Sequence, residues 1–226
     1  MRRSLAVSLV WTTLAFCDGA PVLAAGQLLE YTVKHPTFGD IGTYSNRIES
    51  VGADTVVTSQ LDVTVKILGL TAHREQSLRR ERWRDGRLIA FSGITTKNGT
   101  RSEILGEARD DGFVVSTPSG TVVAPANIRP ANPWSADMLQ SGPLLSTRDG
   151  SLLGARVTMA AEESVMRGGR REPLYRFSVE SDKHEYVWLD GQGVPVAFRT
   201  LEQGTPIDFV LIRDEAGPVQ TAEVPR

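Results

Sequence analysis

Residues 79–100 read RRERWRDGRLIAFSGITTKNGT. Two strand-like runs occur in this stretch, and each ends in a turn pair, Asp85-Gly86 and Asn98-Gly99. A two-residue hairpin of the favoured hand needs φ > 0 at its central residues, which Asn, Asp and Gly tolerate. Three more such pairs follow at Asp111-Gly112, Asp149-Gly150 and Asp190-Gly191. The repeated signal predicts an antiparallel sheet built hairpin by hairpin.

Strand-forming runs fill most of the remaining chain. Leu61, Val63, Val65 and Ile67 alternate with polar residues, which is typical of a strand with one wet face. No segment of helix length with a 3.6-residue period competes. Strands are predicted at 29–33, 42–48, 54–68, 71–83, 87–96, 100–108, 113–117, 154–165, 175–180, 185–189, 194–200 and 207–212. We therefore predict an all-β fold of eleven to thirteen strands in one curved antiparallel sheet or half-barrel.

The stretch 118–143 breaks this pattern because it holds five of the twelve prolines. Proline donates no backbone hydrogen bond and does not suit a central strand. Asn132-Pro133 resembles a helix cap followed by a first-turn proline, and Gly142 is a plausible terminator. We expect one short helix here, with Trp134 and Met138 four residues apart on one face. It could be a mobile lid over the sheet or a fixed part of the core.

The amino terminus has the order of a secretory signal peptide. A positive start at Arg2-Arg3 precedes an apolar run of twelve residues, 5–16, and a small-residue exit at 22–24. That run is too short to span a bilayer, which needs about 20 residues. We expect cleavage after Ala24 or Ala25 and a periplasmic mature protein. A lipoprotein cut before Cys17 is the alternative, although Phe16 stands where such signals carry a small residue.

The domain organisation follows from these segments. After a signal peptide at 1–24, we expect one antiparallel β domain at 25–213 and a loose tail at 214–226, which lacks periodicity. No further long apolar run is present, so the mature chain is expected to have no membrane span.

Charge gives no drive toward nucleic acid. The chain has 25 Lys and Arg against 27 Asp and Glu, a net charge of −2. Two basic clusters, 79–82 and 167–171, stand beside acidic residues. The pattern favours solvated strand or turn surface at both clusters.

No recognisable catalytic or cofactor motif occurs in the sequence. His35, His73 and His184, with Glu75 and Glu185, could be imagined as metal ligands, but their spacing does not bring them together. Asp137 and the pair Asp110-Asp111 fit turn or cap roles better than an acid–base pair. We expect no metal, no cofactor and no enzymatic activity.

Aromatic and large apolar side chains on the strands are the candidate ligand-binding residues. Such residues more often form core, but in a curved sheet they can also line a cavity. The candidates are Trp83, Phe91, Trp134, Met138, Trp188 and Phe198. Trp83-Arg-Asp-Gly and Trp188-Leu-Asp-Gly also echo each other, so the two tryptophans could stand in equivalent hairpins.

Several of these motifs together resemble a known family. They are Tyr31-Thr-Val, the Gly39 to Gly42 turn, both Trp-x-Asp-Gly turns, Pro133-Trp134 and Leu144-Leu145-Ser-Thr-Arg-Asp-Gly150. The order looks like that of exported proteobacterial proteins of unknown function, and it is distantly similar to periplasmic lipoprotein carriers and their half-barrel relatives. The resemblance implies a curved sheet around an apolar cavity, here closed by 118–143.

Two functions from different classes fit these expectations. The first is a periplasmic protein that binds a lipid or another apolar molecule inside its curved sheet. The second is a structural or protein-interaction module of the cell envelope, with the sheet filled by its own side chains and an edge or face meeting another protein.

Overall fold

Fifteen strands and almost no helix make up the part of the chain that the structure describes. The computed structural model describes residues 25–167 and 169–218, so the expected signal peptide and Cys17 lie outside the described residues. The strands are β1 Ala25–His35, β2 Gly39–Val51, β3 Asp54–Ile67, β4 Leu70–Arg84, β5 Arg87–Lys97, β6 Thr100–Ala108, β7 Phe113–Thr117, β8 Gly120–Ala124, β9 Arg129–Pro130, β10 Gly142–Leu145, β11 Leu152–Arg167, β12 Arg170–Glu180, β13 His184–Asp190, β14 Pro195–Glu202 and β15 Thr205–Pro218. The all-β prediction is confirmed.

All fifteen strands belong to one sheet in the order β8-β7-β6-β5-β4-β3-β2-β1-β15-β14-β13-β12-β11-β10-β9. Neighbours are antiparallel except β9 and β10, which are parallel. The sheet is a meander that begins in the middle, at β1, and is completed when β15 returns to pair with it. This pairing places β8 and β9, which are consecutive in sequence, at opposite edges of the sheet.

The sheet therefore has to curve strongly. Laid flat, fifteen strands at about 4.8 Å spacing would separate the two edges by roughly 65 Å. Only residues 125–128 connect β8 to β9, and such a link reaches at most roughly 18 Å. Six register shifts along the ladders, such as that between Val33 and Lys34, mark bulges that help the strands bend.

Packing inside the curve joins the two edge regions. One core cluster combines Val57 of β3, Phe91 of β5 and Phe113 of β7 with Leu145 of β10. Gly150, just after β10, lies so close to β7 that a Cβ there would stand 2.4 Å from Thr117 Cγ2. The open edges are thus held face to face through interior side chains, and the sheet is a half-barrel curled back on itself.

The turn chemistry explains some hairpins and misses others. Asp85-Gly86 and Asn98-Gly99 have positive φ at both residues, as predicted. Leu68-Gly69 and Gln203-Gly204 adopt the same conformation without an Asn or Asp signal. Gly191, in contrast, has no positive φ, because Asp190 accepts hydrogen bonds from Gln192 N and Val194 N and forms a longer turn.

Segment 118–143 contains less helix than the sequence predicted. Only one 3₁₀ turn forms, Ala136–Met138, and Ser135 rather than Asn132 caps it. Asn132 is fully engaged in buried hydrogen bonds and is not free to cap. Two short strands, β8 and β9, and the start of β10 also lie in this segment.

The carboxyl-terminal strand is longer than predicted. Residues 214–218, expected in a loose tail, continue β15 and pair with 25–29 of β1. Residues 219–226 of that tail lie outside the described part of the chain.

Replacing Gly86 by Ala tests the turn argument. Its φ is 73° and an added Cβ would have no atom within 4 Å, so the penalty is backbone strain alone, about 1 kcal/mol. Gly154→Ala is the control, because Gly154 lies in β11 with open space and no positive φ. Urea unfolding should show a lower midpoint for Gly86→Ala only; equal midpoints for the two variants would contradict the turn assignment.

Candidate functional site

A large cavity of about 780 Å³ lies inside the curved sheet. Its wall comes from β1–β4 on one side and β11–β15 on the other, with residues 130–140 between them. The apolar part of the wall contains Val33, Ile41, Val63, Val65, Leu144, Leu153, Val187, Phe198, Ile207 and Phe209. Phe198 and Phe209 stack with their ring centroids 4.2 Å apart.

Hairpin ends on one side of the sheet form the mouth of this cavity. Lining residues at that end come from several turns, including Phe38, Asn98, Asp149, Asp182 and Gln203. The turns at the opposite end, at 52–53, 85–86 and 191–193, contribute none. The cavity is therefore open at one end, and the segment from Ala131 to Gln140 closes it below.

Strand β4 supplies an unusual inner face. Alternation places His73, Glu75, Ser77, Arg79 and Glu81 on the inside, followed by Trp83, while Arg80 and Arg82 are exposed. The sequence interpretation of 79–82 as solvated surface is wrong for two of its four residues. The sequence did carry a signal for this. Trp83 is expected in the core, and Glu81 and Arg79 lie two and four residues before it, so strand alternation puts all three on the same inner face.

A buried hydrogen-bond network forms the floor of the cavity. Glu81 is fully buried, and its Oε1 accepts a bond of 2.8 Å from Asn132 Nδ2. Its Oε2 accepts bonds from Trp83 Nε1 at 2.9 Å and Trp134 Nε1 at 3.0 Å. Tyr44 donates its hydroxyl hydrogen to Asn132 Oδ1 at 2.7 Å. These bonds fasten the closing segment to β2 and β4.

The electrostatics of Glu81 reflect two opposing effects. Burial raises the pKa of this carboxyl group to about 7, and the three donors Asn132, Trp83 and Trp134 limit the rise because they favour the ionised form. All three neighbours donate hydrogen bonds to Glu81, so their arrangement favours the ionised carboxylate. A protonated Glu81 would have to point its hydrogen at a donor.

Arg79 stands next to this floor on the same face of β4 and lines the cavity. It has no hydrogen-bond or salt-bridge partner among residues 25–167 and 169–218, and its Nε is buried and unsatisfied. Desolvation lowers the pKa of the guanidinium, and the nearby Tyr44, Glu75 and Glu81 act in the opposite direction. An arginine stays protonated in proteins, so a positive charge without a contact partner faces the cavity.

Two of the six predicted ligand-binding residues line the cavity. Phe198 lies in its wall and Met138 borders its floor. Trp83 and Phe91 are buried in the core cluster outside it. Trp134 packs against Trp83 with ring centroids 6.1 Å apart and holds Glu81 from below.

Trp188 lies on the other face of the sheet from the cavity wall. Its neighbours in sequence, Val187 and Leu189, are buried, whereas the indole of Trp188 is partly exposed beside Tyr186 and Arg199. The echo between the two Trp-x-Asp-Gly turns is therefore not a structural equivalence, since Trp83 points inward. The bulge between Trp188 and Leu189 is one local difference between the two strands.

The histidines are spread over the molecule. His35 accepts hydrogen bonds from the backbone of its own turn, His73 lies 3.7 Å from Glu75, and His184 contacts Ser178. Among the described residues, no group of three or more His, Cys, Asp or Glu side chains is placed to hold a metal ion. Asp137 lies in the 3₁₀ turn, and Asp110-Asp111 form the β6–β7 connection.

Comparison with known proteins identifies a family. Residues 39–212 match the domain of unknown function DUF6134, and the chain belongs to that family. No curated protein matches the sequence. In the part of the chain that the structure describes, no helix is both long enough and apolar enough to cross a membrane.

Solved structures give a fold relative. A crystal structure of a beta-barrel-like protein of domain of unknown function DUF1849 from Brucella abortus is similar with a TM-score of 0.66 at 8% identity, covering 85% of this chain and 98% of that one. A DUF1089 family protein from Pseudomonas aeruginosa matches with a TM-score of 0.30 at 14% identity, covering 94% and 100%, too low to support a common fold. The first relative supports the curved architecture and, at this identity, nothing about activity.

Glu81 should make stability depend on pH. Its pKa is about 7 when folded and near 4.5 when unfolded, so between these values the folded state binds more protons. The contribution of Glu81 to the free energy of unfolding should therefore fall by about 3 kcal/mol as the pH rises from 4.5 to 7, and then level off.

Urea unfolding of the wild type and Glu81→Gln between pH 4.5 and 8 measures this effect. The difference between them isolates Glu81, since other groups with raised pKa values, such as Glu185, are common to both proteins. The stability of Glu81→Gln relative to wild type should improve as the pH rises. A difference that does not change with pH would contradict the assignment.

Proposed function

We propose that the protein is an exported, periplasmic binding protein that holds a lipid or another apolar molecule in its internal cavity and catalyses no reaction. The observation that carries this proposal is the cavity itself. About 780 Å³ lies within the usual range of ligand sites, roughly 300–1,000 Å³. Its wall is largely aliphatic and aromatic, and hairpin turns border its mouth.

The cavity is also a pre-formed container. The network at its floor fixes the closing segment, so Trp134 serves as structure beneath the site and not as a mobile lid. A binding site that exists before the ligand arrives avoids the cost of ordering loops on binding. Without a ligand, the apolar surface of the cavity wall would be exposed to water, which is energetically unfavourable.

An exported location fits this function and rests on the sequence of residues 1–24. Periplasmic extraction followed by amino-terminal sequencing should give Ala25 or Gly26 as the first residue. An intact Met1 in the cytoplasm would overturn export, and a lipidated Cys17 would favour a membrane-anchored form.

Exposed apolar side chains favour a second candidate, a module that binds another envelope protein. The tip of the β3–β4 hairpin carries Ile67, Leu68 and Leu70 in the open, and Leu68 is 98% exposed at a φ of 51°. Native mass spectrometry after mild purification separates the two candidates. A retained lipid mass supports the binding protein, and a co-purifying protein supports the module.

Filling the cavity provides a direct test of ligand binding. Leu153 lines the cavity from β11 and is only partly buried, so Leu153→Trp should add bulk inside it. Leu105→Trp is the matched control, because Leu105 is half exposed on β6 and lines no part of the cavity. Binding of the neutral fluorescent probe N-phenyl-1-naphthylamine should weaken about tenfold for Leu153→Trp, which corresponds to about 1.4 kcal/mol.

The control should bind the probe as the wild type does. If wild-type protein shows no saturable fluorescence increase, the cavity does not accept apolar molecules and the proposal fails. An equal loss of binding in both variants would show that the probe associates with a surface outside the cavity.

A further inference from the structure

Four lysine and arginine side chains line the cavity, those of Arg79, Lys97, Arg148 and Lys183, and three of them have an acidic partner. Lys97 lies 3.8 Å from Glu75, Lys183 lies 3.4 Å from Glu202, and Arg148 pairs with the same Glu202. Arg199 turns its side chain to the outer face, beside Trp188, and binds Asp208 there through two hydrogen bonds. Within the described residues, Arg79 is the exception, since no carboxylate contacts it.

Arg79 is also the deepest of these cations on the β4–β5 side. Lys97, at the top of β5, pairs in register with Glu75, whereas Arg79 pairs with Gly93. Four residues of strand separate the two levels, which is about 13 Å. Between the two levels the neighbouring strand β3 presents Leu61, which pairs with Ser77, and Val63 and Val65 follow toward the mouth.

A charge taken out of water and left without a contact partner is costly. We propose that Arg79 binds the anionic oxygen group, a carboxylate or a phosphate, of an amphiphilic ligand whose apolar tail extends toward the mouth. This inference rests on the proposed binding function and names the chemistry of the ligand. A guanidinium matches such anions because its planar fork can donate two parallel hydrogen bonds.

Neighbouring carboxylates do not compete for this role. Glu81 is fully buried and both its oxygens already accept hydrogen bonds from Asn132, Trp83 and Trp134. Glu75 lies near His73 and Lys97 at the higher level. Tyr44 and Asn132, the floor residues that line the cavity, carry a hydroxyl and an amide, both neutral.

Three ten-carbon probes test the proposal by isothermal titration calorimetry: decanoate, decyl phosphate and 1-decanol. The wild type should bind at least one of the two anions at least about tenfold more tightly than 1-decanol. Arg79→Gln should lose that preference and still bind 1-decanol like the wild type. Arg80→Gln is the matched control, since Arg80 is the exposed neighbour on the other face of β4.

Each outcome decides something. A preference for decanoate over decyl phosphate identifies a carboxylate head group, and the reverse identifies a phosphate. If all three probes bind equally well to the wild type, the role of Arg79 is overturned while the apolar binding function stands. If none binds, both fail. Should Arg79→Gln not fold, equal binding of the anions and the alcohol by the wild type would still overturn the role of Arg79.

Discussion

The link of four residues between β8 and β9 is the constraint on which the architecture depends. It joins the two edges of one fifteen-stranded sheet, so the sheet cannot lie flat. Once the sheet is curled, Phe113 and Val115 from one edge region meet Leu145 from the other and form a common core. The inward faces of the remaining strands then enclose a space that this core does not fill.

Polar chemistry, rather than further apolar packing, closes that space from below. Glu81 and Asn132 are both buried and are 51 residues apart in sequence, and their hydrogen bond ties the closing segment to the wall. Such a network is stable only when its members are satisfied, so it specifies one position for the segment. The apolar wall above the network has no hydrogen bonds to satisfy, so its surface is available to contact a ligand.

The sequence predicted the fold better than the site. Asn98-Gly99 and the alternation of Val63 and Val65 are local signals, and they translate directly into hairpins and strand faces. Leu68-Gly69 forms the same kind of turn without a favourable first residue, because the long β3–β4 ladder imposes it. The pairing of β1 with β15 joins residues almost two hundred positions apart and has no local signal.

Aromatic content was a poor guide to the cavity for a physical reason. Trp83 and Trp188 are both strand residues with similar neighbours, and the phase of the alternation in each strand decides that one is inside and the other outside. Arg79 and Glu81 appeared to be surface charges because charged residues are rarely buried. Their position follows from alternation with Trp83, a signal present in the sequence but weaker than the general rule.

The closing segment has a consequence for traffic through the molecule. It is joined to β9 at one end and β10 at the other, so it cannot swing away without breaking the sheet edge. Under the proposed binding function, a ligand would enter and leave between the hairpins that line the other end of the cavity. Under that function, a partner that delivers a ligand and a partner that receives it would both meet this rim of hairpins.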